Sequence, residues 1–501
     1  MHEPEPETHE EHNHQVRGNP TASAVSQLRT PEEPYQAFVI EQRGIAPVPG
    51  DDRHMTLPSL FWMWAGSIFN VEYVVTGVLI VFIGLSFVQA VIAILIGSLS
   101  FFLVGLASVQ GPRTGTSTFA ITRAPFGPRA GRGMSVFNWV TIVGYEIEGI
   151  ALIGLALVAL LGKAGVTSST ALEVAAVLVA VALQAVLPLF GHATMVKIIK
   201  YMAYPFVVLF VILAIVVAPK VHLGAINHGA SLSTWTIGLA LAVAGTGIGW
   251  VTEANDYSRY LPAATSVRKT VWTSALGGFI PGVLLAILGA GLASASAKAS
   301  DPISGLPTIL PGWLIVPYLI LVVGQLLAIN TLNLYSSGLN LQSMGFHIKR
   351  WAAVIVDTVL CAIFGVVVVL SGGFNTALSN FLEIMIIWMT PWVAIFLVDA
   401  GLRRSRYDVG SLFAAPGRGI YWGQGGFRRS ALVAQVIGMA ASALWLDSSL
   451  FVGPFSSATD GADMSVFMGF LFGGGVYYLL ARRAIAREKN QMLTMEEITN
   501  A

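Results

Sequence analysis

The sequence predicts an all-α polytopic membrane protein with about twelve spanning helices. Three observations predict it. The chain of 501 residues is 55% apolar and only 11% charged, with a mean hydropathy of +0.71, whereas soluble domains carry about 25% charged residues. The apolar residues come in runs long enough to cross the hydrocarbon, which takes about twenty residues of helix. Finally, Lys and Arg alternate between connections as the positive-inside rule requires.

The runs lie near 57–84, 86–109, 132–161, 171–190, 197–218, 235–256, 269–294, 312–344, 351–371, 380–400, 430–448 and 464–482, here spans 1 to 12. Span 8 is long enough to leave room for a short non-spanning portion. With the N-terminus in the cytoplasm, every even connection should be basic. After span 2 come Arg113, Arg123, Arg129 and Arg132; after span 4, Lys197 and Lys200; after span 6, Arg259, Arg268 and Lys269; after span 8, Lys349 and Arg350. After span 10 come Arg403, Arg404, Arg406, Arg418, Arg428 and Arg429, and after span 12, Arg482, Arg483, Arg487 and Lys489. The opposite connections hold only Lys163, Lys220 and Lys298. A missed span would invert the pattern downstream. The expectation is therefore a multi-pass cell (inner) membrane protein with both termini cytoplasmic, whose first partner is the lipid bilayer.

Residues 1–55 are rich in Glu, Pro and His and lack the apolar core of a signal peptide. They read as a disordered cytoplasmic tail, in which His9, His12 and His14 are solvated rather than gathered around a metal. The net charge of +1 leaves no electrostatic footprint for nucleic acid. Cys361, the only cysteine, cannot form an internal disulfide and reads as a packing residue within an apolar run.

Two spans are interrupted by small residues: Ala65-Gly66-Ser67 in span 1 and Gly245-Thr246-Gly247-Ile248-Gly249 in span 6. Glycine costs about 1 kcal/mol in a helix, and backbone freed inside a membrane must line a polar cavity. Glycine also lets helices approach closely. A Gly-interrupted span at the head of each block of five points to a five-plus-five inverted repeat around a central site. This divides the chain into a first repeat at 56–218, a second at 235–400, a cytoplasmic connection at 401–429, spans 11 and 12 at 430–482 and a C-terminal tail at 483–501.

Carboxylates inside a membrane are expensive and mark function. Glu146 and Glu148 in span 3 stand about 200° apart around a helix, so at most one faces a central cavity and the other meets a neighbouring helix. Glu72 in span 1 reads as a coupling residue or a buried hydrogen-bonding acid. Glu253 and Asp256 close span 6, where a solvated or loop-pinning role is expected, and Asp357 and Glu383 lie near span ends, where a wet environment is expected. Span 8 carries Gln325, Asn330, Asn333, Asn340 and Gln342; amides donate and accept together and suit a heterocycle edge, or they join helices. Tyr145 and Trp250 are placed to stack on a flat ligand.

Four stretches carry a resemblance: Thr122-Arg123-Ala124-Pro125-Phe126-Gly127, Asn138-Trp139 through Gly144-Tyr145, Asn255-Asp256-Tyr257-Ser258-Arg259-Tyr260-Leu261-Pro262, and Tyr421-Trp422-Gly423-Gln424-Gly425-Gly426. In order and spacing, from about 56 to 485, the chain resembles the purine–cytosine permease branch of the nucleobase:cation symporter-1 family. The resemblance implies a leucine-transporter-type fold with spans 11 and 12 peripheral. It also implies alternating-access import of a nucleobase or related ring such as a purine, cytosine or an allantoin-like heterocycle, and a coupling cation, proton or sodium. It places the substrate between Tyr145 and Trp250, beside Gly249, with Asn333 and Asn330 reading its edge and Ser67 and Asn70 near it from span 1. Tyr145 stands where the family commonly has tryptophan, and Gly149 where a polar amide is frequent. The substrate is then larger than cytosine, or Glu148 supplies the polarity.

The family's sodium-coupled members place an adjacent hydroxyl pair five and six residues before the span 8 asparagine. Counting back from Asn333 reaches Ala328 and Leu327, and from Asn330, Gln325 and Gly324. Neither register yields a Ser or Thr, so a hard cation would lose the two hydroxyl oxygens, although Thr331 would supply one hydroxyl in a shifted register. Glu72, Glu146 and Glu148 remain as proton carriers. Neither a catalytic constellation nor His-rich metal spacing occurs within the spans, since His192, His222, His228 and His347 fall at ends or loops. A membrane enzyme, a bound cofactor and a resident metal are therefore not expected. An amino-acid carrier of the same fold is the alternative; it would hold a carboxylate at the exposed N–H groups of broken span 1.

Overall fold

The computed structural model describes residues 44–186, 191–221, 230–296, 303, 305, 308–346, 348 and 350–500. Among them, nine helices are long and apolar enough to cross a membrane. A bent pair makes a tenth, and two shorter apolar helices, Thr170–Val186 and Arg429–Leu444, bring the apolar helical segments to twelve. No strand forms among the described residues; two isolated bridges, Gln424 with Phe427 and Asp447 with Val452, pin turns. The outward faces are apolar. Ile215, Val359, Ile363, Val367, Leu471 and Leu479 are each more than half exposed, as lipid-facing side chains are.

Span 1 consists of Leu57–Ile68 and Val71–Phe82, bent by 53°. The break falls at Phe69 and Asn70 rather than at the Ala65-Gly66-Ser67 run. A capping side chain outweighs small-residue composition here: Asn70 accepts from the Glu72 N–H at 2.8 Å and donates to the Ser67 carbonyl at 2.8 Å, so one amide closes both helix ends. Span 6 breaks at the predicted place. The helix Leu232–Ala244 ends at Gly245, and a 3₁₀ turn, Gly249–Glu253, leads into Ala254–Ser258. Gly247 is needed because a β-carbon there would stand 2.3 Å from the Phe101 nitrogen of span 2. Ser100 of span 2 accepts from the Gly247 N–H at 2.9 Å, and Thr76 of span 1 reaches the Gly245 carbonyl at 3.2 Å. Side chains of spans 1 and 2 thereby satisfy the backbone freed in span 6, as burial in a membrane requires.

Span 3 is the helix Pro128–Lys163, and span 8 is the helix Gly312–Met344. Span 8 runs unbroken for 33 residues, about 50 Å at 1.5 Å per residue; the room left for a non-spanning portion is taken up by one helix. Span 9 is Arg350–Ser371, span 10 is Phe374–Arg403, and span 12 continues from Ser465 to Asn500. The boundary at 483 is therefore no helix end.

The arginine-rich end is fastened by a buried network. Asp399 accepts from Arg403 Nε at 2.9 Å, Tyr477 at 2.7 Å and Tyr407 at 3.0 Å. Glu488 bridges Arg403 at 2.8 Å and Arg428 at 2.6 Å. Part of the expected N-terminal tail packs here as well. The Arg259 guanidinium donates to the Gly44 carbonyl, Ile45 N–H donates to Gln342, and Val48 N–H bonds the Gly115 carbonyl. The tail boundary at 55 is thus too late, because residues 44–55 carry backbone groups that the bundle satisfies. His9, His12, His14, Lys298, His222, His228, His347 and Lys349 lie outside the described residues.

Candidate functional site

A cavity opens where the two broken spans face spans 3, 8 and 10. Its free space for water centres is about 50 Å³, several times the roughly 10–15 Å³ that one water needs. Tyr145, Glu148 and Thr141 come from span 3, Glu72, Tyr73 and Thr76 from span 1, and Gly249, Trp250, Thr252 and Glu253 from span 6. Asn333 of span 8 and Leu378 and Leu382 of span 10 complete the wall.

The two aromatic plates are fixed by their neighbours. Trp250 donates its indole N–H to the Tyr73 hydroxyl at 2.7 Å, and its ring meets Trp64 edge-on at 5.7 Å. The indole is held at these edges, and Trp250 lines the cavity. Tyr145 packs edge-on against Phe381 at 5.1 Å and donates to the Met385 sulfur at 3.1 Å. A β-carbon at Gly249 would stand 2.9 Å from the Tyr145 hydroxyl, so glycine lets spans 3 and 6 close around the cavity.

Of the residues expected at the site, the structure brings together Tyr145, Glu148, Gly249, Trp250, Asn333 and Glu72. The others stand outside the wall, each for a physical reason. Ser67 gives its hydroxyl to the Met63 carbonyl one turn back at 2.7 Å, and Asn70 is occupied in capping. Gly149 and Asn330 meet each other: the Asn330 amide lies against the Gly149 Cα, where a β-carbon would be 2.5 Å from Nδ2. Asn330 joins helices, donating to the Glu146 carbonyl at 3.1 Å and to Gln184 Oε1 of span 4 at 2.7 Å. Glu146 points away from the cavity toward Cys361 of span 9. The 200° separation from Glu148 resolves as expected, with one acid in and one acid against a neighbouring helix.

Asp256 pins a loop, accepting from the Thr118 N–H at 2.9 Å. Two other carboxylates depart from expectation. Glu253 lines the cavity and accepts a hydrogen bond from Tyr257; the 3₁₀ turn after Gly249 swings it inward, which a straight-helix reading does not anticipate. Asp357 is fully buried, because Trp139 Nε1 at 3.0 Å and Ser337 Oγ at 2.5 Å both donate to it. Tyr73 and Thr76 were also missed; the signal was available in their places one and two turns beyond the span 1 break. Thr331 donates its hydroxyl to the Leu327 carbonyl at 2.8 Å, one turn back in its own helix. Among the described residues, no group of three or more His, Cys, Asp and Glu is arranged to hold a metal ion.

The sequence profile of the family described as permeases for cytosine/purines, uracil, thiamine and allantoin matches residues 47–469, most of the chain. The chain belongs to this family. Two curated relatives of the permease family span nearly the whole length. A protein of Bacillus subtilis named putative purine-cytosine permease YxlA is 26% identical over 455 residues, covering 88% of this chain and 96% of its own. The purine-cytosine permease fcyB of Emericella nidulans is 24% identical over 475 residues, 88% of each chain. Among solved structures, the closed, bromovinylhydantoin-bound form of Mhp1, a nucleobase-cation-symport-1 family transporter, superposes with a TM-score of 0.72 at 18% identity, covering 89% of this chain and 96% of that one. The inward-facing form of Mhp1 gives 0.68 at 16% identity. These likenesses establish the fold: this permease has the leucine-transporter-type architecture, two inverted five-helix repeats with two further helices beside them.

Proposed function

We propose that this permease imports a nucleobase or a related flat heterocycle by alternating access, and that the cavity between spans 1, 3, 6, 8 and 10 is where the ring binds. The observation that carries the reading is the pairing of Tyr145 and Trp250 around one cavity that also holds the Asn333 amide. Aromatic plates favour a π-face, and an amide matches an edge on which N–H and C=O alternate. An amino acid would instead need its carboxylate met by the N–H groups at the span 1 break, and Asn70 already takes the Glu72 N–H. The names of the curated relatives, which describe purine–cytosine permeases, support the same solute class.

The coupling ion in this reading is a proton. Ala328 and Leu327, the positions where the sodium-site hydroxyls would stand, carry no oxygen side chain, and Thr331 would supply one hydroxyl where that site uses a pair. Glu72 and Glu148 face the cavity and act on one another electrostatically; with Glu146 they are the carriers available. A potential of about 100 mV contributes about 2.3 kcal/mol per charge, enough for about fiftyfold accumulation with one proton. The arginine-rich end faces the cytoplasm, the two repeats correspond to 56–218 and 235–400, and the protein acts without enzymatic chemistry or a cofactor.

The test of the solute class is a competition panel of unlabelled bases, hydantoins, nucleosides and amino acids against a binding signal in purified protein. A base or hydantoin should compete best. Competition by amino acids alone would replace this reading with the amino-acid carrier.

A further inference from the structure

A second buried polar cluster lies on the far side of span 3. Glu146 is fully buried, and its Oε1 has no hydrogen-bond partner among the described residues. Its Oε2 receives only the Cys361 thiol, at 3.5 Å. Gln184 of span 4 is 1% exposed, and its Nε2 is likewise unpartnered. The titratable groups acting on Glu146 are acids and a thiol: Asp357 and Cys361 from span 9 and Glu253 from span 6, with Glu148 two residues on in span 3. No described Lys, Arg or His forms an ion pair with it. A carboxylate offers about four lone-pair sites and here meets one weak donor. Such a group in hydrocarbon is stabilised by taking a proton.

The cluster also repeats in two layers. In the first, Glu146, Cys361 and Asn330 meet; in the second, Trp139, Asp357 and Ser337 meet. The layers are seven residues apart on spans 3 and 8 and four apart on span 9, about one to two helical turns. Asp357 lies on the side of the basic start of span 9 at Arg350. Toward the cavity, Asn333 donates to Asn330 Oδ1 at 3.4 Å, and Asn330 in turn holds the span 3 backbone at Glu146 and the Gln184 amide. One amide of this pair lines the cavity and the other is bonded into the Glu146 cluster.

We propose that spans 3, 4, 8 and 9 enclose a proton-binding site at Glu146, separate from the solute cavity and joined to it by the Asn333–Asn330 amide pair, with Asp357 as the next carboxyl toward the arginine-rich end. The proposal rests on the cavity being the solute site. When a ring engages Asn333, the Asn330 amide shifts against Glu146 and Gln184 and alters how well the cluster holds its proton. Solute and proton then occupy different pockets and still sense one another.

The test is equilibrium binding of the best heterocycle from the competition panel across pH, in purified full-length protein. Wild type should bind more tightly as pH falls, by up to about tenfold per pH unit where one proton is taken up. Glu146→Gln mimics the protonated acid and should bind at the wild-type low-pH affinity throughout, without the slope. Glu148→Gln should keep the slope whatever it does to affinity. A slope that survives in Glu146→Gln, or that vanishes in Glu148→Gln, overturns the proposal, as does wild-type binding with no pH dependence. Wild type that binds no heterocycle removes the cavity assignment and this proposal with it. Should Glu146→Gln not fold, Glu146→Asp decides: a slope displaced along the pH axis is expected, and one coincident with wild type overturns the proposal.

Discussion

Replacing Gly149 with alanine sets two effects of opposite sign against each other. Gly149 lies inside the long span 3 helix, where alanine is favoured by about 1 kcal/mol. If glycine were there only by helix propensity, the substitution would stabilise. The added β-carbon, however, would stand 2.5 Å from Nδ2, 2.6 Å from Oδ1 and 2.8 Å from Cγ of Asn330. No rotation of that amide clears three atoms at once, so Asn330 must move. Its bonds to Gln184 at 2.7 Å and to the Glu146 carbonyl at 3.1 Å then break. Each buried polar group left unpaired costs about 1–3 kcal/mol. With the Asn330 amide and Gln184 Oε1 both orphaned, the loss is about 2–6 kcal/mol. After the propensity gain of about 1 kcal/mol, Gly149→Ala should be destabilising by about 1–5 kcal/mol. The assay is thermal unfolding of purified protein followed by fluorescence-detected size exclusion. Gly149→Ala should melt well below wild type, and the double variant Gly149→Ala/Asn330→Ala should recover part of the difference. A Gly149→Ala protein as stable as wild type, or more so, would refute the close approach of spans 3 and 8.

Trp250→Ala should weaken heterocycle binding by about 1–3 kcal/mol, or about fivefold to over a hundredfold, with folding intact; Tyr73→Phe should have a smaller effect in the same binding assay, because it leaves the plate and removes only the acceptor of the indole N–H. Asn333→Ala should cost about 1–3 kcal/mol of binding and reorder the preference among related bases, while Gln342→Ala, whose amide is tied to Ile45 and Ile348 at the arginine-rich end, should leave affinity unchanged; equal effects would remove Asn333 from the site. Asp399→Ala should lower the melting temperature sharply, since breaking a buried ion pair costs about 3–5 kcal/mol and Arg403 would keep only Glu488; an unchanged melting curve would count against the network.

What could be read from residues alone depended on periodicity and charge. Lys and Arg alternation located the spans because a misplaced span inverts everything after it. The 100° step per residue separated Glu146 from Glu148 without any tertiary information. The reading failed where a short polar side chain or a local change of helix type decides. Asn70 moves the span 1 break past Gly66 because a cap satisfies backbone that small residues only release. The 3₁₀ turn at Gly249–Glu253 brings Glu253 into the cavity against straight-helix geometry. Asp357 reads as wet from its place near a span end, yet Trp139 and Ser337, distant in sequence, enclose it. Asn330 and Asn333 share a composition and differ only in facing, which three residues of register decide.

The central claim, proton-driven uptake of a flat heterocycle through the cavity between spans 1, 3, 6, 8 and 10, is tested most directly by uptake into proteoliposomes. The best ligand of the competition panel is radiolabelled, and a proton gradient and a sodium gradient are imposed separately. Accumulation driven by the inward proton gradient, lost in Trp250→Ala protein that still folds, is the predicted result. Accumulation driven by sodium and indifferent to the proton gradient, or undiminished in Trp250→Ala, would contradict it.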